Sequence, residues 1–367
     1  MPTVKRNINS VRQKPLSSPA WKGPLVDGVS QSMICDYLAC KERFRVRVIE
    51  GLSSPDSFNV SIEFGHMWHL CEEMFSAGKD WIGPLTDYAA ELSKRYRQEQ
   101  SQVLKWYNVV KLHFPIYLGY WSNQEDEKHI EPLLQEVVFK VEYPLQNGKV
   151  AFIRGKMDGV DLIPGDGIYL KENKTKSKID VQSIERQLTN DMQVMTYLTA
   201  LHKIRPSDWT EEIKGVRYNV IRRPLSGGKG SIRPHQPTKN RPGESMEEFY
   251  ERLIGVILDD VDNYFERWKC LVGPNELNKF QSQTLDPVIN NLADDYEWWS
   301  FCLSENQSPY NYKLRSIEYP EHKLRHYRLP YGTYNITQQG GFSDVDDYLN
   351  TGSKVGLEVC QNFFPEL

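Results

Sequence analysis

Three β-type runs follow one another between residues 135 and 174 with almost nothing between them, and that order commits the chain to folds with a β-meander at their centre. Residues 135–143 (QEVVFKVEY) are rich in β-branched and aromatic side chains, which suit a pleated, half-buried surface. Gln146-Asn147-Gly148 is a hairpin signal, because tight turns favour residues that tolerate positive φ. Residues 150–162 (VAFIRGKMDGVDL) read as the second strand, Pro164-Gly165-Asp166-Gly167 as the next turn, and residues 168–174 (IYLKENK) as the third strand. Strands joined by turns this short pair antiparallel.

Helical periodicity surrounds this meander. Ser30 to Ile49 reads as one helix, with Cys35, Leu38 and Phe44 among its apolar positions, and residues 61–77 as a second. Tyr88 to Phe114 reads as a third, carrying Leu92, Tyr96, Leu104 and Tyr107. After the meander, residues 181–204 are expected to be one long helix capped by Asp180, its core stripe running through Ile184, Leu188, Met192, Met195 and Leu198. On that reading Arg186, Asn190, Gln193 and Tyr197 form its polar face. Residues 215–222 read as a further strand and residues 245–269 as an amphipathic helix. Residues 1–25, rich in Ser, Pro, Lys and Arg, read as a flexible basic arm, whereas residues 271–367 show weak organisation.

Two carboxylates fall in neighbouring strands: Asp158, and Glu172 within Glu172-Asn173-Lys174. Acids brought that close repel unless a cation lies between them. A hard divalent ion such as Mg2+ takes oxygen ligands and keeps positions for water and phosphate. Residues two apart share one face of a strand, so Lys174 is expected beside Glu172, where an ammonium can offset charge on a phosphate. Asn173 points to the other face, but its carbonyl is a candidate metal ligand. His69, on the 61–77 helix, could add an imidazole, with His66 one turn away as its competitor. An acid-x-Lys triplet alone is common on strand surfaces, so its neighbours must carry the case.

Those neighbours resemble a known family. Ser32, Cys40 and Phe44; Gly65 and His69; Glu136; Gly155 and Asp158; Glu172, Lys174 and Thr175; and Gln193 and Tyr197 stand in the order and spacing of the RecB-type branch of the PD-(D/E)XK nuclease superfamily, with its phage-type exonucleases and CRISPR-associated adaptation nucleases. The resemblance spans roughly residues 30–222. It implies an α/β (α+β) restriction-endonuclease-like core, a central mixed β-sheet flanked by helices, with N-terminal helices and a C-terminal extension. It also implies a nuclease domain over residues 26–270, with a helical insertion at 61–134 and a basic loop at 223–243, and an extension over 271–367 packed on the core. The implied roles are metal binding by His69, Asp158, Glu172 and Asn173, and catalysis by Asp158, Glu172, Lys174 and Glu136 supported by Gln193 and Tyr197. Mg2+, for which Mn2+ can substitute, is the implied cofactor. Iron–sulfur members of the branch carry a tight C-terminal cysteine cluster. Here Cys270, Cys302 and Cys360 stand far apart, so no cluster is expected.

Formal net charge is -4, so any DNA-binding surface must be local. From Lys214 to Arg241 eight Lys or Arg residues occur without one acid, which makes Arg222, Arg223, Lys229 and Arg233, together with Arg186, the candidate phosphate contacts. No apolar stretch is long enough to cross a membrane, no secretory h-region is present, and the six cysteines form no CxxC pair, so a cytoplasmic protein of a bacterial or phage-infected cell is expected. Without a Walker A motif, no helicase is expected on this chain. The combined expectation is a stand-alone exonuclease acting on DNA ends in recombination, repair or replication, with a single-strand-annealing or recombination protein as a partner. The alternatives are a restriction-like endonuclease, or a non-catalytic DNA-binding protein that keeps the fold.

Overall fold

The computed structural model describes residues 21–49, 58–180, 191–225, 232–239 and 242–304. Ile184, Arg186, Leu188, Asn190, Lys229, most of the expected basic arm and residues 305–367 lie outside these.

The chain divides into two compact units. The smaller draws on residues up to 55, residues 140–154 and residues from 282 onward. Within it α1 (Gln31–Ala39), α2 (Lys41–Phe44) and α8 (Asp286–Ser304) pack around Trp21, Phe44, Tyr296 and Trp299. The buried Tyr37 hydroxyl donates to Asp295 at 2.6 Å, tying α1 to α8. The single helix expected over Ser30–Ile49 is broken, because Cys40 adopts an extended backbone and a π-helical turn follows at Arg45–Ile49.

The larger unit holds residues 56–139 and 155–281. Its helical layer is α3 (Val60–Ser76), α4 (Ile82–Arg95) and α5 (Gln100–Ser122). The expected Tyr88–Phe114 helix is in fact two, since α4 ends at Arg95 and α5 starts at Gln100. Phe64, Trp68, Trp106, Val110, Phe114 and Tyr117 form the core of this layer, completed by Ile221, by Leu253 and Ile257 of α7 (Met246–Asp259), and by Phe265.

The sheet is five-stranded and mixed, in the order β1 (Glu131–Pro144), β2 (Val150–Ile163), β3 (Gly167–Lys176), β4 (Ile213–Arg222), β5 (Phe265–Leu271). β2 pairs with β3 antiparallel, Gly159 opposite Lys171. β3 pairs with β4 parallel, Glu172 opposite Tyr218. A parallel neighbour requires a crossover, and α6 (Met192–Ile204) lies in it. The expected meander and mixed sheet are therefore present. The expected helix over 245–269 is not: α7 stops at Asp259, a 3-10 turn follows at Val261–Asn263, and residues 265–271 pair antiparallel with β4 as an edge strand. Helix α6 is capped by Asp191, whose backbone is extended and whose side chain accepts from the Gln193 N–H, so one unbroken helix does not run through to Ile204; the expected capping by Asp180 rests on residues 181–190, which lie outside the described residues.

Candidate active site

Strand parity divides the residues of β3 between two environments. Lys171 and Asn173 point one way: Lys171 Nζ lies 3.0 Å from Glu72 of α3, and the Asn173 amide oxygen accepts from Asn219 of β4 at 2.7 Å. Glu172 and Lys174 point the other way and meet the first turn of α6. Gln193 bridges them, donating to Glu172 Oε1 at 2.8 Å while accepting from Lys174 Nζ at 2.8 Å. Lys174 Nζ also lies 2.9 Å from Glu172 Oε1 and 3.3 Å from Asp191 Oδ2. Three acceptors thus match the three N–H bonds of the ammonium.

Asp158 on β2 joins this group from the next strand. Its Oδ2 accepts from the Asn173 backbone N–H at 2.7 Å, and its Oδ1 lies 3.3 Å from His69 Nδ1 on α3. His66 turns instead toward Glu63 and Tyr88. Glu136 on β1 has φ +48, a left-handed conformation uncommon for a non-glycine residue and a source of backbone strain. Potential ligand atoms of His69, Glu136 and Asp158 lie within 4.8 Å of one another. His69, Glu136, Asp158, Glu172, Lys174 and Gln193 line one cleft of about 720 Å³, which Lys156, Glu73, His66 and Tyr88 also flank.

The electrostatics are those of a cation site. Burial and then the Asp158 charge push Glu172 up to about 8, against the pull of Lys174. Burial opposes charging His69, but Asp158 outweighs it and raises the imidazole to about 9. Asp158 is held below the usual carboxylate range despite its burial, by His69 and the Asn173 N–H. Glu172 Oε2 is buried and has no hydrogen-bond partner among the described residues, an arrangement that leaves a polar atom uncompensated. Carboxylate oxygens and one imidazole nitrogen suit Mg2+ or Mn2+, and Glu172 Oε2 is a lone pair with nothing else to bind. The residues therefore fit a divalent ion.

A pH dependence follows. The fold favours protonated His69 and protonated Glu172, so the stability they add is present at low pH. It is lost as pH rises from the ordinary value of 6.5 through about 9 for His69, and from 4.5 through about 8 for Glu172. Asp158, shifted downward, changes nothing in that window. In EDTA the Tm should therefore fall between pH 6 and pH 9. The Tm gain on adding Mn2+ should grow over the same range, because ligands bind metal deprotonated. Differential scanning fluorimetry checks both; a metal-induced gain that shrinks with pH would contradict the reading.

Several sequence expectations are revised. Tyr197 is not on an exposed polar face; it is 8% exposed, its ring edge-on to Phe139 at 5.3 Å. Gly155 explains this, since a Cβ there would sit 2.8 Å from the Phe139 ring and 2.9 Å from the Tyr197 ring. Three residues of the basic run are engaged within the protein. Arg217 is buried against Asp161 and Glu127, Arg223 is buried and donates to the Thr175 carbonyl, and Arg222 is half-buried over the Tyr264 ring. Arg233 is exposed. The acids that pair with Arg217 come from distant segments, so a local charge count could not see them. The sequence reading also missed Lys156, which lies 2.8 Å from Glu136 and 2.9 Å from Glu73, and Asp191. An Asp two residues before Gln193 is an N-cap signal that the Asp180 assignment overlooked.

A family model described as the PD-(D/E)XK nuclease superfamily matches residues 28–276. No curated protein matches the chain. Among solved structures, the one titled "Crystal structure of SSO0001" is 16% identical with a TM-score of 0.20, covering 63% of this chain and 87% of the other, a likeness too loose to bear on fold or function.

Proposed function

Because the chain belongs to the PD-(D/E)XK nuclease superfamily, we propose that it is a Mg2+- or Mn2+-dependent deoxyribonuclease, an exonuclease acting on DNA ends. One observation carries the reading: the unpartnered Glu172 Oε2 is buried beside Asp158, with Lys174 held in the same cleft. The clustered His69, Glu136 and Asp158, joined by the buried Glu172 Oε2, would hold the ion, which when bound supplies Lewis acidity and charge compensation at a scissile phosphate. Asp158 and Glu172 provide the negative charge that recruits it. Lys174 presents a fixed positive charge where the attacked phosphate gains negative charge. Gln193 sets the spacing between Lys174 and Glu172 through its two hydrogen bonds. Tyr197 packs behind the site and supports the β1–α6 contact rather than touching substrate.

The exonuclease reading rests on the order of residues from Gly65 and His69 to Gln193 and Tyr197, which resembles end-processing members of the superfamily. End-labelled linear duplex and relaxed closed-circular DNA, each incubated with Mg2+ or Mn2+, test it. Loss of linear DNA with circles intact is expected. Discrete cuts in the circles would make the protein an endonuclease, and no cleavage with either ion would leave it a DNA-binding protein with a nuclease fold.

A further inference from the structure

The geometry points to Asp191 as a positioning residue that fixes Lys174 for catalysis, a role separate from its capping of α6. The inference rests on the nuclease reading above. The two carboxylate oxygens of Asp191 do different work. Oδ1 accepts from the Gln193 N–H at 2.8 Å and so starts the helix. Oδ2 lies 3.3 Å from Lys174 Nζ. The Asp191 side chain is 19% exposed and that of Lys174 is 18% exposed, so the pair is only partly screened by water.

Asp191 therefore touches both halves of the Gln193 bridge. It holds the backbone from which Gln193 projects, and it is the third acceptor around the ammonium that Gln193 and Glu172 also bind. With Glu172 and Gln193 alone, one N–H of Lys174 lacks a protein partner and the ammonium is free to swing about its long stem. The third contact comes from the α6 side and defines one direction for the group. A helix cap needs only an oxygen acceptor, which Asn supplies as well as Asp. Holding Lys174 from that side needs the carboxylate charge.

Asp191→Asn and Asp191→Ala separate the two roles. If Asp191 positions Lys174, Asp191→Asn keeps the wild-type Tm and KM but loses about 10- to 100-fold in kcat, the scale typical of groups that orient catalytic residues. A crystal structure of the metal-free variant would then show Lys174 Nζ displaced from Glu172 and Gln193. If Asp191→Asn matches wild type in kcat and in the Lys174 position, and only Asp191→Ala loses activity together with Tm, the residue is a cap alone and the inference fails. If wild type cleaves no DNA, the nuclease reading fails on its own, and the Lys174 position in Asp191→Asn then decides: displaced supports the inference, unmoved overturns it.

Discussion

Asp158→Asn should abolish DNA cleavage while leaving the protein folded and able to bind DNA. Asp158 is where the two halves of the site meet, through His69 on Oδ1 and the Asn173 N–H on Oδ2. The amide keeps the volume but loses the charge. It also turns an N–H2 donor toward either His69 or the Asn173 N–H, which is itself a donor. A bound ion would then lack one of its acidic ligands, and Glu172 loses the negative neighbour beside which a cation would be favoured. Losing a metal's several kcal/mol of charge stabilisation corresponds to about 10³-fold or more in rate. Single-turnover cleavage of end-labelled DNA measures the loss, fluorescence anisotropy the binding, and calorimetry a weakened Mn2+ affinity. Cleavage within tenfold of wild type would remove Asp158 from the active site.

Lys174→Met should lower kcat by about 10²- to 10³-fold, the scale for deleting one preorganised electrostatic group, with little change in KM. Methionine fills the stem's space without its charge. Unlike Asp158→Asn, this variant should still bind Mn2+, since Glu172 Oε2, Asp158, Glu136 and His69 are untouched. The contrast between the pair is the test: both lose cleavage, but only one loses the ion. Lys174→Arg should not restore activity, because a planar guanidinium cannot match three acceptors grouped around one ammonium. A Lys174→Met enzyme with normal kcat would assign the positive charge in the reaction to another residue.

The parts of this molecule that were readable in the sequence are those set by near neighbours. Short turns at 145–149 and 164–167 forced the meander, and parity placed Glu172 and Lys174 on one face of β3. What escaped depended on distant partners. Arg217 looks like a free cation until Asp161 and Glu127 arrive from other elements. Residues 265–271 continue an amphipathic pattern that suits a helix, yet β4 offers them an open sheet edge. The contact of Asp191 with Lys174 likewise joins residues of different elements, which spacing along the chain does not show. The left-handed backbone of Glu136 has no local signature at all.

The site's chain connectivity also says when it comes into being. Asp158, Glu172, Lys174, Asp191 and Gln193 lie within one β-strand pair and the helix that follows, a stretch that can organise early through contacts close in sequence. His69 sits on α3, far earlier in the chain, and its contact with Asp158 requires α3 to be docked on the sheet. A chain with its strands paired but α3 undocked would hold an incomplete cradle for an ion. Metal affinity is therefore expected to report the docking of α3 as well as the pairing of the strands.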